Sequence, residues 1–309
     1  MSVATHDDGP FLERFSGFAD LYDSQRPSPP ARLGPLLARY AQAERPRVVD
    51  LGSGTGLSTR WAAGWAARVI GVEPNDDMRA VAVVRGPAGV EYRSGVGEST
   101  GLDDASADVV VAVQAMHWMQ PAATLAEAAR ILRPGGVFAT LDADWPPVAG
   151  LAAAEDAWVR LHGRIRVFEA RLAAGDEGAD LRRPIDDDDP ALADDDPRDP
   201  HLNRVMPGGR SWPKREHLAN IERSGHFAYA RELVLDGPAD GGADRFVALL
   251  RSQGSYQGLR KVGLTDADLG VPAFERVVAA AFAGAAVDVT LSFCWRVRLG
   301  LRRASPTSP

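Results

Sequence analysis

The chain has 309 residues, with 42 acidic against 35 basic side chains and a formal charge of −7. A hydrophobic content of 45% with 25% charged residues belongs to a soluble folded chain, with material for one large domain or two small ones. A single cysteine, Cys294, excludes an internal disulfide and a cysteine metal cluster. No apolar run reaches membrane-spanning length, and the N-terminus lacks the basic-then-apolar order of a secretory leader, so a cytoplasmic setting is expected.

The first 45 residues read as an N-terminal helical lid segment. From 46 onward strand and helix alternate. RVVDL (47–51) is a short β-branched run that ends in glycine, and Thr55 to Arg68 reads as a helix. RVIGVE (68–73) is a second strand, and Pro74-Asn75 opens a second helix. GVEYRSG (89–95) is a third strand. ADVVVAV (107–113) is an unbroken apolar run, the pattern of a parallel strand buried on both faces. Pro121 opens a helix that stops at Arg133-Pro134-Gly135-Gly136, and GVFATLDAD (136–144) is a fifth strand. Short links between such elements predict right-handed βαβ units.

After Trp145-Pro146-Pro147 the pattern changes. Residues 150–174 form one helix. Residues 176–200 then carry eleven Asp or Glu and three Arg, leaving 31 acidic and 32 basic side chains elsewhere. With four prolines and few aliphatics, this stretch is expected to be a mobile solvated loop. The acidity is therefore local, and the absence of a basic face argues against a nucleic-acid partner. A helix near 213–223, a strand at 226–237, helices at 242–252 and 272–283, and a long strand at 287–301 complete the chain. The expected fold is α/β: a doubly wound, mostly parallel, seven-stranded Rossmann-like sheet with an antiparallel edge strand and a helical cap. Its core would comprise 46–145 and 221–303, with 146–220 an inserted cap that contains the acidic loop.

The chemistry concentrates in Val48-Val49-Asp50-Leu51-Gly52-Ser53-Gly54-Thr55-Gly56. Three glycines at alternate positions between strand and helix let the backbone turn sharply and approach a ligand. Glu73 ends the second strand about twenty residues on, where a carboxylate can accept both ribose hydroxyls of an adenosine group. Two nucleoside ligands and a ligand-free turn compete. The dinucleotide pattern G-x-G-x-x-G fails, because the third position is Leu57, and Asp50 would repel a pyrophosphate. A ligand with an α-amino group and a sulfonium tolerates Asp50, which favours S-adenosylmethionine (SAM).

These motifs, with GVGESTGLDDASADVVVAV and LRPGG, resemble the class I SAM-dependent methyltransferases over roughly residues 11–145. The likeness is to small-molecule members of the trans-aconitate and ubiquinone type. It implies that Asp50, Gly52 and Gly54 line the methionine part of SAM, with Ser53, Thr55, Pro74 and Gln114 in the same cofactor-binding set. It also implies that Met78 packs near the adenine and that Gly97 and Glu98 flank the adenine edge. The usual acidic residue before that position is Val96 here. The lead-in Phe15 to Pro27 resembles the family's segment that folds over the cofactor, which would set Tyr22 near the transferred methyl. QAMHWM (114–119) follows the fourth strand, and His117 is the candidate general base toward a hydroxyl.

The resemblance implies transfer of a methyl group to an O, N or aromatic C atom of a small molecule, with S-adenosylhomocysteine as product and a role in bacterial natural-product biosynthesis. Trp118, Trp145 and Tyr256 are candidate walls for an aromatic acceptor, and Trp212 shares that reading. Alternatives are a methyltransferase acting on RNA or protein and a non-catalytic SAM-binding protein. No metal is expected: His162, His201, His217 and His226 share no ligand spacing, and Asp142 and Asp144 read as lone carboxylates. No membrane partner is expected, and the chain would be a monomer or a homodimer.

Overall fold

The computed structural model describes residues 23–185 and 211–304. Helix α1 (Leu33–Tyr40) leads into β1 (Arg47–Leu51), α2 (Leu57–Ala63), β2 (Arg68–Val72), α3 (Asp76–Arg85) and β3 (Val90–Arg93). Next come β4 (Ala107–Val113), a 3-10 turn at Met116–Trp118, α4 (Pro121–Ile131) and β5 (Leu132–Ala143). Then follow α5 (Ala152–Ala173), the helical turn α6 (Gly178–Leu181), a 3-10 turn at Lys214–Glu216 and α7 (His217–Arg223). The chain closes with β6 (Phe227–Ala239), α8 (Ala243–Arg251), α9 (Gly254–Lys261), α10 (Asp266–Leu269), α11 (Val271–Ala283) and β7 (Leu291–Arg302).

The strands form one seven-stranded sheet in the order β3-β2-β1-β4-β5-β7-β6. The first five run parallel, β7 pairs antiparallel with β5, and β6 pairs antiparallel with β7 and so runs with the first five. This is the doubly wound sheet that the alternating pattern predicts, with one reversed strand, β7, between β5 and the edge strand β6. The apolar run of β4 divides by parity, as strand geometry requires. Val109 and Val111 join a core with α1, α2, α5, α8, α9 and α11, and Val110 and Ala112 join a second core with α4 and Ile221 of α7.

Sequence rules locate the helix starts. Asn75 caps α3 by accepting from the Met78 amide at 2.9 Å, and Gln120 caps α4 ahead of Pro121. Two details differ from expectation. Strand β5 begins at Leu132, directly after α4, so Pro134-Gly135-Gly136 lies within the strand as a register shift opposite Asp108 and not as a separating turn. The start of the acidic stretch is packed. Leu181 and Ile185 are buried, and the Arg171 guanidinium donates to the carbonyls of Leu181 (3.3 Å) and Arg183 (2.6 Å). Two aliphatic anchors suffice to order this segment. The rest of the loop, 186–200, lies outside the described residues, as do Tyr22 and His201. Helix α5 is built into the first core through Trp158, which stacks on Trp145 at 6.0 Å and meets Phe246 edge-on at 5.2 Å.

Candidate functional site

The glycine-rich turn leaves the C-terminal end of β1. Gly52, Gly54 and Gly56 all take positive φ (66°, 54° and 83°), a region closed to most side chains. A Cβ on Gly52 would strike Ala115 and Met119, so that glycine lets the turn sit against the loop after β4. A Cβ on Gly54 would meet nothing within 4 Å, so there the backbone faces open space.

Glu73 is tied to this turn. One carboxylate oxygen accepts the Gly54 amide and the other the Asn75 amide, both at 2.9 Å. Burial raises its pKa, and those two amides oppose the rise. Asp50 is fully buried beneath the turn. Its Oδ2 accepts the hydroxyls of Ser58 and Thr59 at 2.7 Å, while Oδ1 is buried with no hydrogen-bond partner among the described residues. Burial lifts its pKa to about 6 against those two hydrogen bonds. A buried carboxylate oxygen without a donor is costly, and a ligand ammonium is a donor of the kind that would satisfy it. The donor set and the open face at Gly54 therefore fit a cationic adenosyl ligand of the SAM type.

The other cofactor candidates fall around this turn. Ser53 and Thr55 lie in it. Thr55 donates to Asp23 at 2.7 Å, and the Arg60 and Arg85 guanidiniums pair with the same carboxylate. Those three bonds outweigh burial and lower the Asp23 pKa. Pro74 follows Glu73, and Met78 is buried in the first turn of α3. Gly97 packs against Met119, where a Cβ would clash with the thioether. Glu98 accepts the Gln120 amide at 2.6 Å, so its carboxylate is engaged at the start of α4.

Beyond β4, Gln114 holds a left-handed conformation (φ 53°), a strained state for a non-glycine residue that often marks functional sites. Its amide donates to the Ala143 carbonyl at 3.3 Å, and its oxygen accepts the Lys214 ammonium at 2.7 Å. His117 follows in the 3-10 turn, its ring 4.4 Å from that of Trp118, and its carbonyl accepts the Trp212 amide at 2.7 Å. Trp145, after β5, faces Phe293 and Trp158, with the Arg26 guanidinium 4.8 Å above its ring. Tyr256 is buried in α9 and donates its hydroxyl to Asp266 at 2.5 Å. The structure thus brings Gln114, His117 and Trp118 together with Trp212, and sets Tyr256 in the helical layer.

The sequence reading missed the partners of Asp142 and Asp144; neither carboxylate is lone. Asp142, at the end of β5, lies 3.0 Å from Lys214 Nζ and accepts from Arg298 at 3.1 Å. Burial would raise its pKa, but Lys214 and Arg298 hold it well below the usual carboxylate range. Arg298 also donates to Glu232 at 2.7 Å, and Arg296 pairs with Asp144 at 3.0 Å. His117 Nδ1 and His217 Nε2 stand 4.0 and 3.9 Å from the Asp142 oxygens. Burial pushes the His217 pKa down to about 4, with Asp142 opposing. No local signal marks these residues, because β4, β5, β7 and α7 converge only in the fold. His162 is instead a core residue stacked on Trp158 at 6.2 Å, and His226 is exposed.

Residues 49–140 match the methyltransferase domain family. An uncharacterized methyltransferase of Mycobacterium tuberculosis H37Rv is 39% identical over 123 residues, covering 40% of this chain and 49% of that protein. The ubiquinone/menaquinone biosynthesis C-methyltransferase UbiE of Rubrivivax gelatinosus is 35% identical over 100 residues, covering 32% and 40%. The chain thus spans half or less of the length of these relatives. A solved structure from Anaeromyxobacter dehalogenans, described as a candidate type II methyltransferase, aligns with a TM-score of 0.57 at 22% identity, covering 91% of this chain and 99% of that one. Its likeness is one of fold. No described helix is long and apolar enough to cross a membrane. Residues 49–140 therefore match the methyltransferase domain family, within a seven-stranded sheet whose fold is like that of a solved methyltransferase-type structure.

Proposed function

We propose that this chain is a SAM-dependent methyltransferase that methylates a small molecule, with a natural-product acceptor and a cytoplasmic setting as the working assignment. The observation that carries the reading is the joined pair of acids at the glycine turn. Glu73 is tied to the Gly54 amide, and Asp50 is buried beneath with one oxygen lacking a donor.

When bound, SAM supplies a methyl group on a cationic sulfur. The chain's task is to hold and align. Glu73 is assigned to the ribose hydroxyls and Asp50 to a cationic group, with Gly52 and Gly54 letting the backbone approach. Met78, Gly97 and Glu98 are assigned to the adenine side. Displacement at a methyl needs a nucleophile in line and little water, so alignment and desolvation supply most of the acceleration. His117, beside Gln114 and Trp118, is assigned as base for an acceptor that must lose a proton; an amine or electron-rich aromatic carbon would not need one. Tyr22 is kept as a second candidate at the methyl. Trp118 and Trp145 are assigned to an aromatic acceptor. Residues 146–220 are assigned as the acceptor-facing cap, because Trp212 and Lys214 from that stretch meet His117 and Gln114.

Calorimetric titration with SAM, followed by chromatographic detection of S-adenosylhomocysteine over a panel of phenols, amines, carboxylic acids and indoles, tests the assignment. Saturable SAM binding with acceptor-dependent turnover is expected. Absence of SAM binding overturns it, and turnover on bulk RNA or protein alone replaces the small-molecule acceptor with a macromolecular one.

A further inference from the structure

We propose that His117, Asp142 and His217 form a binding site for one divalent transition-metal ion, in which His117 is a metal ligand in place of the base role assigned above. Each offers one ligand atom, and those atoms all lie within 4.8 Å of one another. Three separate elements supply them: the turn after β4, the end of β5 and the start of α7. Two of the three residues are buried. Both ring nitrogens of His217 are buried with no hydrogen-bond partner among the described residues. An imidazole enclosed in this way carries two unmet polar atoms, which is costly unless something coordinates one of them.

The donor set selects the ion. Two imidazoles and one carboxylate suit zinc, iron or cobalt, whereas calcium and magnesium favour all-oxygen shells. Bonds of ~2.0–2.2 Å in a tetrahedral site place donors roughly 3.4 Å apart. His117 lies 4.0 Å from Asp142 Oδ1 and His217 3.9 Å from Oδ2, and with one ligand atom taken from each residue the set lies within 4.8 Å, so the side chains must draw together to close on an ion. Three protein ligands leave one coordination position open, the pattern of reactive and not of purely structural sites.

Asp142 is already the partner of two cations, and they play different parts. Arg298 is buried and is shared with Glu232, so it stays with that pair and holds one Asp142 oxygen in place. Lys214 is 28% exposed and sits on a three-residue turn, with its ammonium 3.0 Å from the same oxygen that lies nearest His117. An incoming ion takes over the charge that Lys214 supplies, and the lysine swings outward. Lys214 is therefore an internal competitor, and removing it should strengthen metal binding.

The test is zinc titration by calorimetry on chelator-treated full-length protein, with cobalt(II) absorption as a second readout. Wild type should take up one equivalent. His217→Gln should weaken binding by at least the ~10–100-fold that loss of an outer-shell partner costs. Lys214→Met should tighten it, and His226→Gln, at an exposed histidine, should leave it unchanged. Zinc uptake indifferent to His217→Gln overturns the site, as does failure of both wild type and Lys214→Met to bind. If His217→Gln does not fold, equal zinc affinity of Lys214→Met and wild type is the overturning result. A parallel SAM titration keeps the two assignments apart, since either ligand can fail to bind without the other.

Discussion

Asp50 and Glu73, the acids assigned to the cofactor at the glycine turn, stand under opposing demands. Burial disfavours their charge, while the proposed ligand needs it. Glu73→Gln keeps the shape of the side chain and should weaken SAM binding by about 1.5–3 kcal/mol, the scale of charge-assisted hydrogen bonds. Titration calorimetry measures it. For Asp50, the folded carboxyl keeps its proton up to about pH 6 against an ordinary 3.8. Between those values the folded state binds more protons than the unfolded one, so this group's contribution to stability falls as pH rises through the window. Ligand binding runs the other way. SAM affinity should drop as pH falls below about 6, and Asp50→Asn should flatten that dependence; affinity constant in wild type across pH 5–7.5 would remove Asp50 from the site. Both acids were legible because the strand-acid-glycine order is local. Lys214 and His217 were not, since their partners Gln114, Asp142 and His117 lie far away in sequence and near only in space.

Periodicity and caps identify most elements. The β4 bounds are those read from its apolar run, and Asn75 and Pro121 mark helix starts at the expected places. What escaped is what tertiary contacts decide. Helix α9 contains two glycines in eight residues, so its local propensity is poor; it stands because Tyr256 and Leu259 are buried. Likewise β5 extends back through Pro134-Gly135-Gly136 because β4 offers it a partner across the register shift. Helix α5 depends on one side chain more than any local signal implies. Trp158 is fully buried and touches Trp145, Phe246 and Phe274. Trp158→Ala should cost about 3–5 kcal/mol of unfolding free energy in urea denaturation. A loss under 1 kcal/mol would mean the helical layer collapses around the gap.

For the whole molecule, the sheet is clamped at the edge opposite the site. Asp108 accepts the Arg47 amide at 2.7 Å, the Arg47 guanidinium at 3.1 Å and the Arg133 guanidinium at 2.7 Å, stitching β1, β4 and β5. These bonds overcome burial and bring its pKa to about 2. Its contribution is complete above the unfolded value of 3.8 and is lost as pH falls through about 2. Asp108→Asn should lower the thermal midpoint at pH 7 and shrink the decline between pH 4 and pH 2, as scanning calorimetry would record.

Residues 23–26 cross the C-terminal ends of the central strands. Asp23 grips Thr55, Arg60 and Arg85, while Arg26 reaches the Ser252 carbonyl and Gln253 and covers Trp145. Four residues thus bridge the exit of β1 and the exit of β5, two inter-strand spacings apart. Thr55, held by Asp23, is itself part of the glycine turn, so a ligand that orders the turn should also steady this staple. Hydrogen–deuterium exchange at the amides of residues 23–26 should accordingly slow when adenosyl ligand is added, and Asp23→Ala should speed it with or without ligand, turning a four-residue crossing into a gauge of occupancy.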